Sequence, residues 1–165
     1  MKSGFTLIET LVAISVILLS LVGPLSIAAQ ALSAAYYARD QITAFYLAQE
    51  GVEYVRAVRD GNFLAGSHWL TGLSNCVSTL CTVDAVEYNN SVCPSGTCQP
   101  LNINNTTGRF TVESANATPS IYTRTVRIDP IAGNPDDVSL TVEVSWRSAG
   151  VDRTFRISEE LLNWL

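Results

Sequence analysis

A single carboxylate lies near the start of a long apolar run in this sequence, and its position suggests ion-pair chemistry. Glu9 is the only charged residue between Phe5 and Gln30, and the next charge along the chain is Arg39. An ionised glutamate inside a bilayer costs about 2.5 kcal/mol or more, so Glu9 needs a partner. Cleavage between Gly4 and Phe5 would create one, because the new Phe5 amine is a cation that one copy can offer to Glu9 of a neighbouring copy. This pairing would hold two subunits in axial register.

Four cysteines form the second group of residues with chemistry of their own. They lie as two C-x4-C pairs: Cys76, Cys81, Cys93 and Cys98. In an exported chain this pattern predicts disulfides, with three pairings open. Zinc is the alternative, but structural zinc sites favour C-x2-C spacing, and the sole histidine, His68, lies upstream of all four cysteines. We therefore expect two disulfides, either two local bridges or a nested pair, and no metal.

The rest of the sequence contains no motif for catalysis or cofactor binding. It has no HExxH, no Gly-rich phosphate loop and no G-x-G-x-x-G pattern. An acidic segment with Asp129, Asn134, Asp136 and Asp137 lacks EF-hand spacing, so calcium is not expected. The net charge is −5 and no Lys/Arg cluster is present, so direct nucleic-acid binding is not expected either. The sequence predicts a protein that is not an enzyme and has no cofactor.

One long helix must position the carboxylate. The apolar run is long enough to cross a hydrocarbon layer of about 30 Å, and helical spacing of apolar residues continues beyond it. A helix is predicted from Phe5 to about Asp60, apolar all round in its first half and amphipathic in its second, with Gly61-Asn62 ending it. Gly23-Pro24 predicts a kink or a locally melted turn, because proline removes an amide donor. The apolar stripe of the second half consists of Ala35, Ala38, Ile42, Phe45, Ala48, Val52 and Val55.

The chain after the helix predicts a β-rich head. Residues 62–107 are rich in Gly, Ser, Asn, Thr and Pro, which indicates a disulfide-pinned loop region with one or two short strands. Strands are expected at 109–114, 121–128, 140–146 and 151–157, with a loop at 130–137. Residues 158–165 begin with a helix-capping pattern and predict a short helix or an extended tail whose Leu and Trp side chains dock on the head. The fold class is therefore α+β. The apolar half of the helix protrudes, and the amphipathic half packs on a three- to four-stranded antiparallel sheet.

The first residues also resemble a known targeting signal. Lys2-Ser3-Gly4 followed by Phe5-Thr6-Leu7-Ile8-Glu9 resembles the class III signal of type IV prepilins and type II secretion pseudopilins: a basic leader, a Gly before the cut, an aromatic first mature residue and a Glu four positions on. The resemblance implies that a membrane-embedded prepilin peptidase cuts after Gly4 and N-methylates Phe5, and that Glu9 assists assembly. An ordinary secretory signal has a shorter apolar core with its cleavage site at the far end. A plain membrane anchor leaves Gly4 and Glu9 unexplained.

A second, narrower resemblance lies in the amphipathic half of the helix. The stretch Leu47-Ala48-Gln49-Glu50-Gly51-Val52-Glu53, followed by Arg56, resembles minor pilins and pseudopilins of the PilV and GspI type. The predicted organisation is a cleaved leader at 1–4, a transmembrane and polymerisation half-helix at 5–33, an amphipathic half-helix at 34–61, and a β-rich head at 62–165 with a cysteine-containing loop at 76–98.

The function implied is that of a structural subunit, a pilin or minor pseudopilin. It would be assembled from the cytoplasmic membrane into a type IV pilus or a related secretion or competence pseudopilus. Its partners would be other pilin subunits, the prepilin peptidase, the assembly platform and, before assembly, the membrane. The precursor would be a single-pass inner-membrane protein with the head outside, and the mature subunit would lie in an extracellular or periplasmic fibre. The alternative is a membrane-tethered binding or thiol-redox module that never polymerises, although C-x4-C lacks the C-x-x-C geometry that lowers a thiol pKa.

Overall fold

The computed structural model describes Gly4 and residues 6–163, apart from the side chain of Pro135. Within this range the chain is α+β, as predicted, with one long helix followed by eight strands. The helix α1 is Leu7–Leu64, and the strands are β1 Cys81–Asp84, β2 Asn89–Val92, β3 Asn102–Asn104, β4 Phe110–Thr111, β5 Ala117–Pro119, β6 Tyr122–Ile131, β7 Asn134–Ser148 and β8 Val151–Leu162. The chain divides into two units, Met1–Asp40 and Gln41–Leu165.

The helix α1 is continuous through Gly23-Pro24. The predicted alternative of a melted turn at this point is therefore wrong, and the kink stays a prediction. Every residue from Thr6 to Arg39 is exposed. The apolar part of the helix thus has no packing partner among the described residues of its own unit.

The helix ends later than the sequence suggests. Gly61-Asn62 was expected to end it, but α1 continues to Leu64, and the amide of Ala65 still donates to the Gly61 carbonyl at 3.0 Å. Asn62 instead organises the following loop, because its side-chain amide donates to the carbonyls of Trp69 (3.0 Å) and Thr71 (2.7 Å). The chain leaves the helix with Gly66 at φ +66°, a conformation that glycine adopts without a steric penalty.

The main sheet has five antiparallel strands in the order β2-β1-β6-β7-β8. The predicted loop at 130–137 is wrong, because β6 runs on to Ile131 and β7 begins at Asn134, which leaves a two-residue turn with Gly133 at φ +85°. Pro130 is tolerated inside β6 at a register shift between Pro130 and Ile131, where the ladder is already irregular and a missing amide costs least.

The cysteine-containing region contributes two strands to this sheet, so the prediction of three or four strands was too low. The hairpin of β1 and β2 joins the sheet where Cys81 lies opposite Val126 of β6. A second, three-stranded sheet, in the order β4-β3-β5, was not predicted as a sheet. At the other end of the chain β8 extends to Leu162, so of the two alternatives predicted for the terminal segment the extended one is right and the short helix is wrong. The predicted docking of Trp164 and Leu165 lies outside the described residues.

The core of the second unit lies between α1 and the main sheet. Fully or nearly buried residues of the helix are Ala44, Leu47, Ala48, Val52, Tyr54 and Val55. The predicted stripe is right for Ala48, Val52 and Val55. It is wrong for Ala35, Ala38 and Ile42, which are exposed, and Phe45 lies at the margin, edge-on to Phe155 of β8. Helix and sheet approach closely at Gly51, where an added Cβ would lie 3.0 Å from the Val142 side chain.

A buried arginine joins the helix to the sheet. The side chain of Arg124 on β6 is 2% exposed, and its guanidinium donates to the Leu47 carbonyl (2.9 Å), the Val83 carbonyl (2.6 Å) and the Glu50 carboxylate (2.6 Å). One side chain therefore links α1, β6 and β1. The two terminal nitrogens of the guanidinium make these bonds, while Nε is buried without a partner in the part of the chain that the structure describes. A buried cation is tolerated when it is paired in this way, and removing it would leave several acceptors unpaired.

A buried carboxylate joins the two sheets. Asp84 ends β1, and its carboxylate accepts hydrogen bonds from the Thr111 hydroxyl and the Val112 amide (both 2.6 Å), and from the amides of Val86 and Glu87. Burial acts to raise the pKa of Asp84, but the four hydrogen bonds outweigh it and hold the pKa below its usual value. The ionised form of this carboxyl is therefore part of the folded head.

Candidate processing and assembly segment

The segment with the predicted processing and assembly residues begins with a capped helix. The amide of Glu9 donates to the Thr6 carbonyl at 3.1 Å and is 3.4 Å from the Thr6 hydroxyl oxygen. Thr6-Leu7-Ile8-Glu9 has the Thr-x-x-Glu spacing of a capping box, and a carboxylate in the first turn interacts favourably with the helix dipole. This local role of Thr6 was missed in the sequence, although the spacing itself was the signal. Glu9 is exposed in the first turn of α1.

The predicted cleavage site lies just before this turn. Gly4 is exposed, and a Cβ added to it would meet no atom within 4 Å. Packing against the residues that the structure describes therefore does not require a glycine at this position. Phe5, and with it the predicted cleavage bond and methylation site, lies outside the described residues.

Four hydroxyl groups within the apolar part of α1 are satisfied by the helix itself. Each donates to a carbonyl three or four residues earlier at 2.8 Å: Thr10 to Leu7, Ser15 to Leu11, Ser20 to Ile17 and Ser26 to Gly23. A polar group in hydrocarbon is costly mainly when it lacks a hydrogen-bond partner. These four side chains are consequently compatible with lipid. By length and composition alone, α1 is one helix able to cross a membrane.

The cysteines lie in the second unit, away from this segment in the sequence. Of the pairings left open, the structure has the two local ones, Cys76–Cys81 and Cys93–Cys98. The amide of Cys93 donates to the Leu80 carbonyl at 2.9 Å, and Cys98 Sγ lies 3.6 Å from the Cys81 carbonyl oxygen, so the two bridges are neighbours. All four cysteines are buried. With all four cysteines in disulfides, none is left as a thiolate ligand for zinc.

The acidic segment around the turn between β6 and β7 forms local contacts. Arg127 donates to the Asp129 carboxylate at 2.7 Å, and Asn134 donates to Asp137. Among the residues that the structure describes, no three His, Cys, Asp or Glu side chains are grouped so that they could hold a metal ion.

Comparison with known proteins gives one match, at the start of the chain. A family model described as the prokaryotic N-terminal methylation motif matches residues 1–23. The chain begins with a class III prepilin signal. No curated protein and no solved structure matches it. The signal supports a precursor of the type IV pilin or pseudopilin kind and suggests a structural rather than a catalytic protein. The apolar helix fits a membrane-anchored precursor.

Proposed function

We propose that the chain is a structural subunit of a type IV pilus or a related pseudopilus, cut between Gly4 and Phe5 by a prepilin peptidase and assembled from the cytoplasmic membrane. The observation that carries the proposal is the methylation motif over residues 1–23, continued by a helix whose apolar surface is exposed on every side. Such a surface needs lipid or other apolar helices around it. The membrane provides lipid around the precursor, and the fibre provides other apolar helices around the assembled subunit.

The ion pair that we propose for assembly follows from the position of Glu9. Near the inner edge of the bilayer its charge is unfavourable unless it has a partner. Cleavage gives each mature subunit a Phe5 ammonium near the same membrane face. Transfer of a subunit into a fibre loses little hydrophobic burial, since its helix leaves lipid for a bundle of similar helices, and it gains the pairing of Glu9 with the ammonium of a neighbour.

The head supports an extracytoplasmic location for the second unit. Disulfides form and persist in oxidising compartments, and this unit has two of them. The head then faces outward in the precursor and on the surface of the fibre. The stretch from Leu47 to Glu53 with Arg56 favours a minor, initiating or tip-near subunit of the PilV or GspI type, and subunit stoichiometry in purified fibres tests this.

Mass analysis of the N-terminus tests the proposal most simply. The full chain, expressed with and without a prepilin peptidase, should lose Met1 to Gly4 and gain one methyl group on Phe5 only when the enzyme is present. Gly4→Leu should abolish the cut. Gly23→Leu is the matched control, because a Cβ at either glycine meets no atom within 4 Å, and it should be processed normally. An intact leader in the presence of an active peptidase would contradict the proposal and favour a permanent membrane tether.

A further inference from the structure

The end of the first unit carries two tyrosines and the first charge after Glu9. Tyr36 is 51% exposed, Tyr37 is 38% exposed, and the side chain of Arg39 is 69% exposed. We propose that Tyr36, Tyr37 and Arg39 form a headgroup collar that binds the phospholipid headgroups of the outer face of the membrane and fixes the depth of the precursor. This inference rests on the proposed function, because it concerns the membrane-held precursor.

The position of the collar along the helix matches the thickness of a bilayer. Tyr36 lies about 44 Å along the axis from Leu7, at about 1.5 Å per residue. A bilayer measures about 40–45 Å when its headgroups are included, and its hydrocarbon core about 30 Å. With Leu7 at the inner edge of the headgroup layer, the hydrocarbon core spans about residues 12–31, and Tyr36 and Tyr37 reach the outer headgroup layer. Tyrosine is enriched at this depth because its ring is apolar and its hydroxyl is polar.

The direction of the side chains strengthens this match. Side chains of a helix point toward its N-terminus, which here is the side of the membrane. Arg39 does so in the structure, since its Cζ lies 5.4 Å from the centroid of the Tyr36 ring, one turn earlier. The Arg39 guanidinium therefore points toward the bilayer and reaches the level of the lipid phosphate groups.

The charges at the collar favour phosphate over a cationic partner. Arg39 donates to the Asp40 carboxylate at 3.0 Å, but the two side chains differ in exposure, 69% for Arg39 and 7% for Asp40. The accessible member of the pair is thus the cation. A guanidinium binds phosphate oxygens through charge-assisted hydrogen bonds, and basic residues next to a membrane span are attracted to anionic lipids.

The collar has a consequence for processing. With Tyr36 held at the outer headgroups, Leu7 lies at the inner edge of the bilayer, and Gly4, three residues earlier, lies just outside that edge. A fixed depth would keep the Gly4–Phe5 bond at the face where we propose that the membrane peptidase cuts. In this depth-anchor role, the collar at the outer end of the membrane span would fix the position of the Gly4–Phe5 bond at the inner end.

The direct test uses the uncleaved full chain in lipid nanodiscs that contain phosphatidylglycerol, with nitroxide labels on either the headgroups or the acyl chains. The headgroup nitroxide should broaden the NMR signals of the Tyr36 and Tyr37 rings and the Arg39 guanidinium at least about twofold more than those of Tyr46 and Arg147. These controls are matched, because Tyr46 is an exposed aromatic residue of the other unit and the Arg147 side chain is also 69% exposed. The acyl-chain nitroxide should broaden the methyl signals of Leu18.

The outcomes separate the two proposals. If Leu18 is not broadened by the acyl-chain label, the membrane-anchored precursor itself is contradicted. If Leu18 is broadened but the collar residues are broadened no more than Tyr46 and Arg147, the collar alone is overturned.

A second test measures cleavage. The triple variant Tyr36→Ala, Tyr37→Ala, Arg39→Gln should be cut at least about threefold more slowly by the peptidase in vesicles than the double control Tyr46→Ala, Arg147→Gln. The melting temperature of the head, measured on the same samples, shows whether folding has changed. Equal cleavage rates with an intact head would overturn the depth-anchor role.

Discussion

The two units of this chain satisfy their side chains in opposite ways. In the second unit the buried charges bind groups of the same chain. Arg124 donates hydrogen bonds to carbonyls on α1 and β1, and the Asp84 carboxylate accepts one from Thr111 on β4. In the first unit the hydroxyls return to their own helix while the apolar side chains remain exposed. The second unit thus provides partners for these buried charges from its own residues, whereas the apolar side chains of the first unit require surroundings that other molecules supply. Substitutions in the second unit should accordingly change the stability of the head, whereas substitutions in the first unit should change processing or assembly.

Arg124→Met should produce the largest loss of stability in the head. The variant keeps the length and apolar stem of the side chain but leaves the Leu47 and Val83 carbonyls and the Glu50 carboxylate without their shared donor. We expect a loss of about 3 kcal/mol in the free energy of unfolding. Urea denaturation of the full chain in mild detergent, followed by tryptophan fluorescence, measures it. Arg147→Met is the exposed control and should change stability by less than about 0.5 kcal/mol; equal effects of the two variants would contradict an internally satisfied head.

Asp84→Asn should have the next largest effect and should depend on pH. Because the pKa of Asp84 is lower in the folded than in the unfolded chain, its contribution is fully present above the unfolded pKa of about 3.9 and is lost as the pH falls through the folded pKa. We expect the variant to lose about 2 kcal/mol at neutral pH, and the difference from the wild type to shrink in acid. Asp152→Asn, whose side chain is 83% exposed, is the control. A difference independent of pH would refute the role given to the ionised carboxylate.

Gly51→Ala and Gly23→Ala make the smallest and most direct comparison of the two units. At Gly51 the new methyl group would lie 3.0 Å from Val142 Cγ1 and 3.2 Å from Arg124 Cδ, whereas at Gly23 it would meet no atom within 4 Å. Overpacking at Gly51 should exceed the gain in helix propensity and leave a net loss of about 1 kcal/mol. Gly23→Ala should leave the unfolding of the head unchanged. The denaturation midpoints of the two variants measure this difference in stability. If the head of Gly51→Ala is as stable as that of the wild type, the helix and the sheet have room for an extra methyl group at this position, and the account of their packing is wrong.

Sequence patterns predicted the elements whose side chains alternate or recur regularly. Leu140, Val142, Val144 and Trp146 alternate with polar residues, and all four are buried on one face of β7. The same alternation also contains the signal that was overlooked, because Arg124 on β6 lies in phase with Val126 and Ile128. A charge on the apolar face of a strand indicates a buried ion pair, but its partners are distant in sequence and only the fold brings them together.

Local patterns failed where long-range pairing outweighed them. Residues 158–162 have a capping pattern, yet Ser158 pairs with Thr141 and Leu162 with Asp137, so ladder hydrogen bonds to β7 override the weak helical preference. The second sheet escaped prediction because Asn102–Asn104 is polar and Ala117–Pro119 contains a proline, and neither resembles a strand in isolation. In the first unit, by contrast, the structure depends on residues that are close in sequence. The helix and the position of Glu9 in its first turn were therefore predictable.

Incorporation of a Glu9→Gln variant into fibres tests the central claim most directly. The full chain is expressed in cells with an assembly machine that accepts it, and the fraction of the processed subunit found in sheared fibres is compared with the fraction left in the membrane. Without the carboxylate the Phe5 ammonium of a neighbour has no partner, so incorporation should fall at least about tenfold, equivalent to 1.4 kcal/mol, with the melting temperature of the head unchanged. Glu87→Gln, at an exposed position of the head, should assemble like the wild type. If Glu9→Gln enters fibres as well as Glu87→Gln does, the proposed pairing between subunits is wrong.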